Sequence, residues 1–449
     1  MQPKVLTAAE LKPDQQAGVE TIMAFTADNN GRELLVEGPA GSGKTSMIRA
    51  ACDELPADIR QGAVVCAPTN KAVKVARELS GGSIETTTIY RLLGLSPQAN
   101  GEVKEIRQGG DVHERLMATR LVFLDEGSMS HSSLRPYIQE AIYDYGIKFI
   151  YIGDRYQLPP VGEERSWVFD TQRQVRLTEI KRHDNAVLNL ATHIRNVIDN
   201  DGVGLRVQDD FSDEHGGVEV FTRGKAFDER ILDTWSQLGT AEGEDDEARD
   251  FSSHRILAWR NARVGGFNEL VREQIYGRRN ARDNALMVGE RVVVCNPVKS
   301  LQDDNQILMH TDEEGYIEKL SIAPHPKYPE IECFKLVILR ESTNSVAGLY
   351  SPTPRGWKVA ERMLNQFKQK ATREDRVYWG AFWSLKDWLN DVRPCHALTT
   401  HRSQGSTFTE VFVDADDILA NPNRTEALKA LYVGTTRASF KVNFKWGGR

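Results

Sequence analysis

The sequence predicts an α/β fold built on a parallel sheet, because its segments occur in the order that such folds require. A glycine-rich stretch, GPAGSGKT at residues 38–45, lies between a short apolar run and a helical pattern. A second apolar run at residues 121–124 ends in two acids, and such runs are typical of parallel strands that are buried on both faces. Strand and helix patterns alternate around these segments, which indicates βαβ units.

The stretch at residues 38–45, here called the glycine-rich loop, matches the phosphate-binding pattern GxxxxGK[ST] at every fixed position. Its glycines allow backbone N–H groups to point inward at a helix N-terminus, where phosphate is favoured. The lysine supplies a cation for the β- and γ-phosphates, and the threonine supplies a hydroxyl for Mg²⁺. A plain glycine-rich turn is the weaker alternative, because it leaves the flanking strand and helix unexplained. The expected nucleotide contacts are Gly38, Pro39, Ala40, Gly41, Ser42, Gly43, Lys44 and Thr45.

Two acids, Asp125 and Glu126, follow the apolar strand at residues 121–124. They are expected at the carboxyl edge of the sheet, where ligands of open α/β sheets bind. We predict that Asp125 holds Mg²⁺ and that Glu126 orients and deprotonates the attacking water. Gln157 follows another predicted strand and is a candidate sensor of the γ-phosphate; a glutamine that caps a loop is the alternative.

Length and composition narrow the class of protein. A chain of 449 residues is too long for one core, so two or more domains are expected. The net charge of -7 argues against coating nucleic acid by overall basicity, although a locally basic groove stays possible. We see no apolar run near the roughly 18 residues of a membrane span, and no partner membrane is expected. Five scattered cysteines without a C-x-x-C pair favour a reducing cytoplasm over a disulfide or zinc framework.

The ordered motifs resemble those of superfamily 1 helicases. They are GPAGSGKT, APTNKAVKVA, TTIYRLL, LVFLDEGSM, IGDRYQLPPV, LTEIKR, ALTTHRSQGSTF and LYVGTTRA. The set is most similar to the superfamily 1B branch, which includes RecD-like and Pif1-like proteins and the Dda-like helicases of T-even bacteriophages. It runs from about Gln15 to Arg437 and so covers nearly the whole chain.

The resemblance implies two RecA-like domains with ATP and Mg²⁺ in the cleft between them. It implies an ATP-dependent DNA helicase that moves 5′→3′ on single-stranded DNA and separates strands at duplex junctions. A monomer is expected to suffice, and single-strand-binding or replication proteins are candidate partners. The host cytoplasm is the expected location if the chain is of phage origin.

The resemblance also assigns nucleotide contacts outside the glycine-rich loop. It gives Gln15 to adenine recognition, since a carboxamide can donate and accept at once, and it places Gly405 in the nucleotide site. Arg182 and Arg437 become the arginines that reach the γ-phosphate from the second domain, where a planar, permanently charged fork stabilises phosphoryl charge. The alternatives are a helix-start glutamine and surface salt bridges.

Several polar residues that follow predicted strands are placed on single-stranded DNA by the resemblance. Such binding needs backbone donors, hydroxyls and a few stacking groups. Tyr90 and Asn70 stand where the Dda-like pattern has histidine, and for Tyr90 packing under its loop is an equal alternative. The candidate contacts are Pro68, Thr69, Asn70, Thr88, Tyr90, Asn261, Thr400, His401 and Ser403.

Two insertions interrupt the predicted domains. Residues 95–111 alternate in polarity around an Asn-Gly turn, which predicts a hairpin. The resemblance makes it a strand-separating pin with its tip at Ala99, Asn100 and Gly101; a surface excursion is the alternative. Residues 288–392 are rich in strand patterns, and the resemblance implies an SH3-like barrel with a helical extension whose tryptophans pack. The predicted division is 1–180 for the first RecA-like domain, 181–287 and 393–449 for the second, and 288–392 for the barrel.

Three other functions are alternatives to a helicase. The nearest is a translocase that strips proteins from DNA without separating the strands. A small-molecule phosphotransferase needs only the first domain and leaves LYVGTTRA unexplained. A nucleotide-gated switch has no need of both Glu126 and Arg437.

Overall fold

A computed structural model describes residues 11–79, 84–97, 103–105, 110–178, 186–212, 214–240, 251–303, 306–373 and 375–447. The chain divides into two compact units, the first formed by Met1–Phe221 and Ser403–Arg449 and the second by Thr222–Arg402. The predicted γ-phosphate contact Arg182 lies outside the described residues, as do Ala99, Asn100 and Gly101 at the predicted pin tip. The domain boundaries drawn from the motifs stay a prediction.

The first unit begins with alternating strands and helices. Its strands up to residue 221 are β1 (Glu33–Glu37), β2 (Ala63–Ala67), β3 (Glu85–Thr88), β4 (Leu95–Pro97), β5 (Val103–Glu105), β6 (Leu121–Leu124), β7 (Lys148–Gly153), β8 (Gln174–Arg176), β9 (Asp210–Ser212) and β10 (Gly216–Phe221). Its helices in this part are α1 (Pro13–Ala27), α2 (Lys44–Glu54), α3 (Ala57–Gln61), α4 (Asn70–Leu79), α5 (Ile89–Leu93), α6 (Gly110–Ala118), α7 (Arg135–Tyr145) and α8 (Ala186–Asp199).

A six-stranded sheet in the order β3-β2-β6-β7-β1-β8 forms the centre of this unit. All of its pairings are parallel. Every residue of β2 and β6 is buried, as expected for strands covered by helices on both faces. The α/β prediction is therefore confirmed, and the carboxyl ends of β1, β6 and β7 meet at one edge of the sheet.

The predicted hairpin region contains a short antiparallel pair. Leu95 of β4 lies opposite Glu105 of β5, and Pro97 lies opposite Val103. The two strands flank the predicted turn, so the described backbone fits a hairpin at this position. Its action as a strand-separating pin stays a prediction.

The second unit combines a parallel strand pair with a larger antiparallel sheet. Its strands are β11 (His254–Ala258), β12 (Arg291–Val294), β13 (Val298–Lys299), β14 (Ile307–Met309), β15 (Glu314–Pro324), β16 (Glu332–Arg340), β17 (Val346–Pro352), β18 (Val392–Pro394) and β19 (Ala397–Thr399). Its helices are α9 (Gly224–Thr240), α10 (Asn261–Tyr276), α11 (Arg278–Asp283), α12 (Pro354–Arg373) and α13 (Tyr378–Trp388).

The antiparallel sheet of the second unit has the order β17-β16-β15-β12-β18, and its strands enclose an apolar cluster. The strand-rich pattern predicted for residues 288–392 is present, whereas the SH3-like assignment stays a prediction. On α13, Trp388 is buried and Lys327 Nζ lies 3.5 Å from its ring centroid. Trp383, by contrast, is 49% exposed, so the tryptophans pack only in part.

The last segment of the chain returns to the first unit. It contains β20 (Phe408–Asp414), α14 (Ala415–Ile418), α15 (Arg424–Thr436) and β21 (Ala438–Lys445). Strand β21 pairs in parallel with both β20 and β10, and α15 packs against α8. Among the helices that the structure describes, none is long and apolar enough to cross a membrane.

Candidate active site

The glycine-rich loop connects the end of β1 to the start of α2. Gly41 and Gly43 have φ angles of 80° and 77°, a left-handed conformation that glycine adopts without a steric penalty. A Cβ atom added at Gly43 would collide with the side-chain amide of Gln15. The sequence pattern therefore needs glycine here for two reasons, the backbone conformation and the close approach of α1.

Gln15 supports the glycine-rich loop through a side-chain hydrogen bond. Its side chain is fully buried, its Nε2 donates to the carbonyl of Ser42 at 2.8 Å, and its Oε1 accepts from the backbone N–H of Lys12 at 3.0 Å. Both halves of the carboxamide are thus engaged within the protein. The predicted contact with adenine stays a prediction.

The side chain of Lys44 is hydrogen-bonded to the glycine-rich loop itself. Its ammonium group donates to the carbonyls of Gly38 and Pro39, the latter at 3.0 Å. Phosphate oxygens carry more negative charge than these carbonyls, so the side chain can exchange one set of acceptors for the other.

Glu126 is held in an unusual backbone conformation directly after β6. Its φ angle is 51°, in the left-handed region. For a non-glycine residue this conformation raises the free energy of the folded state by about 1–3 kcal/mol, and such residues cluster at functional sites. Its backbone N–H donates to Asp125 Oδ1 at 2.8 Å, while Asp125 N–H donates to the Cys66 carbonyl at 2.8 Å. The two bonds fix both acids at the carboxyl edge of the sheet.

The electrostatic surroundings of Glu126 favour a proton acceptor that works near neutral pH. Burial and then the Asp125 carboxylate raise the pKa of Glu126 to about 6, with Asp154 acting in the same direction and Arg437 and Lys44 opposing. Burial also raises the pKa of Asp125. A general base is most effective when its pKa lies near the operating pH.

Thr45 and Asp125 line the same small cavity, which has a volume of about 30 Å³. A hydroxyl and a carboxylate are oxygen ligands of the kind that Mg²⁺ prefers. Among the described residues there is no group of three or more His, Cys, Asp or Glu that could hold a metal alone. The two side chains therefore fit an ion that also takes phosphate oxygens and water, as Mg²⁺ commonly does.

Gln157 carries an unused acceptor. The residue is buried, and its Oε1 has no hydrogen-bond partner among the residues that the structure describes. Its backbone N–H donates to the Asp154 carbonyl at 3.1 Å, which fixes it just beyond β7. A buried acceptor without a partner is costly, so a water molecule or phosphate hydroxyl is a natural partner for it.

Arg437 lies at the C-terminal end of α15 in the same unit as the glycine-rich loop. Its Nε donates to the Val433 carbonyl at 3.2 Å and its Nη1 to the Ser406 carbonyl at 3.1 Å. Burial lowers the pKa of Arg437, and the Glu126 carboxylate is the strongest of the charges that oppose this effect. The guanidinium and the proposed base are thus within electrostatic reach of each other.

Two further residues join this site that the sequence did not single out. The Tyr432 hydroxyl accepts from the backbone N–H of Ala40 at 2.8 Å and donates to Asp154 Oδ2 at 2.7 Å. Both side chains are 1% exposed. They belong to the motifs LYVGTTRA and IGDRYQLPPV, so the motifs marked the right segments without showing which side chains would meet.

Comparisons with known proteins agree with this arrangement. Residues 10–217 match the AAA domain family, and residues 394–444 match the UvrD-like helicase C-terminal domain. The ATP-dependent DNA helicase Dda of Enterobacteria phage T4 is 26% identical over 468 residues, which cover 97% of this chain and 99% of that protein. The chain is therefore similar over nearly its whole length to an ATP-dependent DNA helicase, and each of the two matched family models covers less than half of it.

Two further similar proteins extend the comparison. An uncharacterized protein of Acanthamoeba polyphaga mimivirus is 25% identical over 497 residues, covering 96% of this chain and 98% of that one. Among solved structures, a Pif1 helicase studied at forked double-stranded DNA has a TM-score of 0.53 at 18% identity, covering 96% and 92% of the two chains. This likeness confirms the predicted fold of two RecA-like domains.

The first unit holds six of the predicted DNA contacts. Thr69 Oγ1 accepts from Ala72 N–H at 3.2 Å, and Thr88 Oγ1 accepts from Arg91 N–H at 3.1 Å, so both hydroxyls cap helices. Tyr90 packs against the apolar core, and burial raises the pKa of its hydroxyl. Pro68 and Ser403 are buried, whereas Asn70 is exposed at the start of α4. Tyr90 thus packs under its loop, and the DNA contacts predicted for these six residues stay predictions.

Gly405 has a φ angle of 72°, and a Cβ atom there would lie 3.5 Å from the Cβ of Ala72 on α4. The neighbouring Gln404 donates through Nε2 to the Leu158 carbonyl at 3.4 Å. The Gln404 bond links the segment after residue 402 to the loop after β7, and Gly405 lies close to α4. The nucleotide contact predicted for Gly405 stays a prediction.

The second unit holds the remaining predicted DNA contacts. Asn261 is exposed at the start of α10 and lines a cavity of about 460 Å³ together with Thr399 and Arg402. Thr400 is buried, and its N–H and Oγ1 both donate to the Ala258 carbonyl. His401 lies between these residues in a short 3-10 helix. The roles of these residues on DNA stay predictions.

Proposed function

We propose that the chain is an ATP-dependent DNA helicase that moves 5′→3′ on single-stranded DNA and separates duplex strands. The observation that carries the proposal is the meeting of three groups in one unit. These are the glycine-rich loop, the proton acceptor Glu126 with a pKa raised to about 6 by burial, and Arg437 within electrostatic reach of it. The relatives Dda and Pif1 are named as ATP-dependent DNA helicases, which supports the same conclusion.

The hydrolytic step that we propose uses groups of this chain in distinct roles. Backbone N–H groups of the glycine-rich loop and Lys44 bind the phosphates, and Glu126 takes a proton from the attacking water. The free Oε1 of Gln157 accepts from the same water and orients it, while the Arg437 guanidinium stabilises charge on the phosphoryl oxygens. Thr45 and Asp125 would hold Mg²⁺, which when bound neutralises charge on the β- and γ-phosphates.

The mechanical step couples this chemistry to movement along DNA. We propose that nucleotide binding and release alternate the grip of the Thr69 loop and the Thr400 loop on the strand. Arg182 would act with Arg437 on the γ-phosphate. The direction of movement rests on the family resemblance.

An ATPase assay with and without single-stranded DNA tests the motor. We expect the strand to stimulate hydrolysis and the stimulation to weaken as salt rises, because strand binding releases counterions. Hydrolysis that is independent of DNA and insensitive to salt would contradict a translocating motor.

A translocase without strand separation is the alternative, and deletion of residues 98–101 distinguishes it. If this segment is the pin, the deletion should reduce unwinding of a tailed duplex while displacement of streptavidin from biotinylated single-stranded DNA survives. Equal unwinding by the deletion variant and the parent chain would remove the pin from the proposal.

A further inference from the structure

Tyr432 lies between the glycine-rich loop and the segment after β7, and it contacts both. It lies on α15, its ring is buried, and its hydroxyl contacts both the Ala40 N–H of the glycine-rich loop and the Asp154 carboxylate after β7. Five residues further along, the same helix ends at Arg437. A single hydroxyl therefore connects the loop, the end of β7 and the helix that carries the arginine.

The direction of these hydrogen bonds is fixed by chemistry. A backbone N–H can only donate and an ionised carboxylate can only accept, so the hydroxyl accepts from Ala40 and donates to Asp154. Burial and the Asp154 carboxylate raise the pKa of Tyr432 well above its usual range, so its hydroxyl keeps its proton. Donation to a carboxylate also makes the hydroxyl oxygen a better acceptor, because linked hydrogen bonds polarise one another.

Polar groups of the glycine-rich loop are hydrogen-bonded to other groups of the protein. Lys44 donates to the carbonyls of Gly38 and Pro39, and the Tyr432 hydroxyl accepts from the Ala40 N–H. Phosphate oxygens are stronger acceptors than a neutral hydroxyl. A bound nucleotide therefore competes for the same loop groups that these protein contacts occupy.

We propose that Tyr432 is a nucleotide-responsive latch, whose hydroxyl holds the Ala40 N–H in the nucleotide-free state and releases it when phosphates enter the loop. The release leaves Tyr432 bonded to Asp154 alone, so the state of the loop is transmitted to α15 and to Arg437 at its end. Tyr432 is thus a positioning residue and not a catalytic one. The proposal rests on the proposed function in taking the glycine-rich loop as the nucleotide site.

The variant Tyr432→Phe tests the latch, because it removes the hydroxyl and keeps the ring. Tyr156→Phe is the matched control, since the Tyr156 hydroxyl also donates to a carboxylate, Asp199, at 2.7 Å, without contacting the glycine-rich loop. The equilibrium affinity for a fluorescent ADP analogue is measured for both variants and for the parent chain, with thermal unfolding as a check of folding.

We expect Tyr432→Phe to bind the ADP analogue about two- to tenfold more tightly than the parent chain, because the free state alone loses a hydrogen bond of ordinary strength. Tyr156→Phe should bind like the parent chain. General damage to the fold would weaken binding, so a gain in affinity is specific to the latch. Unchanged or weaker binding by Tyr432→Phe overturns the proposal.

A second comparison keeps the test decisive if Tyr432→Phe does not fold with Asp154 left unpaired. The double variant Tyr432→Phe/Asp154→Asn is compared with Asp154→Asn alone, so that the loss of the negative charge is common to both proteins. The double variant should again bind the analogue at least about twofold more tightly, and equal affinity overturns the latch. Failure of the parent chain to bind the analogue would instead overturn the proposed function.

Discussion

The rate of ATP hydrolysis should fall as the pH drops through about 6, because Glu126 must be ionised to accept a proton from water. Burial and the Asp125 carboxylate raise the pKa of Glu126 to about 6. Since the pKa is raised, the useful carboxylate form dominates above this value and is lost below it. A group with this pKa is roughly 91% ionised at pH 7 and roughly 9% ionised at pH 5, so the rate should fall about tenfold across that interval.

The variant Asp154→Asn separates the titration of Glu126 from that of the substrate, whose terminal phosphate also gains a proton in this range. The Asp154 carboxylate contributes to the raised pKa of Glu126, so its neutralisation should move the acid limb of the profile to lower pH. The titration of ATP is the same for both proteins.

The assay is single-turnover hydrolysis with saturating ATP and single-stranded DNA, measured from about pH 5 to pH 8 for both proteins. Saturation with ATP removes any effect of the variant on nucleotide affinity. A flat profile between pH 5 and pH 7, or an acid limb that stays in place in Asp154→Asn, would refute the assignment of Glu126 as the base.

Three substitutions test the remaining parts of the site. Lys44→Ala should abolish hydrolysis with unchanged thermal unfolding, and near-normal turnover in a steady-state assay would contradict the assigned loop. Arg437→Ala should retain the fluorescent ADP analogue but lose about 10³-fold or more in turnover, as arginine fingers do; a small loss would place the finger elsewhere. Gly43→Ala should lower both the melting temperature and nucleotide affinity more than Gly146→Ala, because both have φ near 70–77° but only the former collides with Gln15. Equal effects of the two glycine variants would show that the contact with Gln15 is unimportant.

The sequence predicted those parts of the fold and the site that depend on a local sequence pattern. The run at residues 121–124 forms β6 as a fully buried strand, and Asp125 and Glu126 lie at its carboxyl end as expected. In the glycine-rich loop, Gly41 and Gly43 have left-handed φ angles. Burial on two faces and positive φ angles both restrict which residue types are suitable, so both features leave a pattern in the sequence.

Contacts between distant segments could not be predicted in the same way. Tyr432 and Asp154 are 278 residues apart, and no local pattern records which buried hydroxyl will meet which carboxylate. Gln15 is a second example. The motif predicts a carboxamide at this position, but it does not predict the hydrogen bonds that this carboxamide makes with Ser42 and Lys12. The division into units is also a property of long-range packing, since α15 joins the first unit through α8.

An unwinding assay tests whether the chain is a motor that separates DNA strands with 5′→3′ polarity. Duplexes that carry either a 5′ or a 3′ single-stranded tail are incubated with the chain and ATP, with Lys44→Ala as the control without hydrolysis. We expect ATP-dependent separation of the 5′-tailed duplex and little separation of the 3′-tailed one. Preference for the 3′-tailed duplex, or separation of the 5′-tailed duplex by Lys44→Ala, would contradict this expectation.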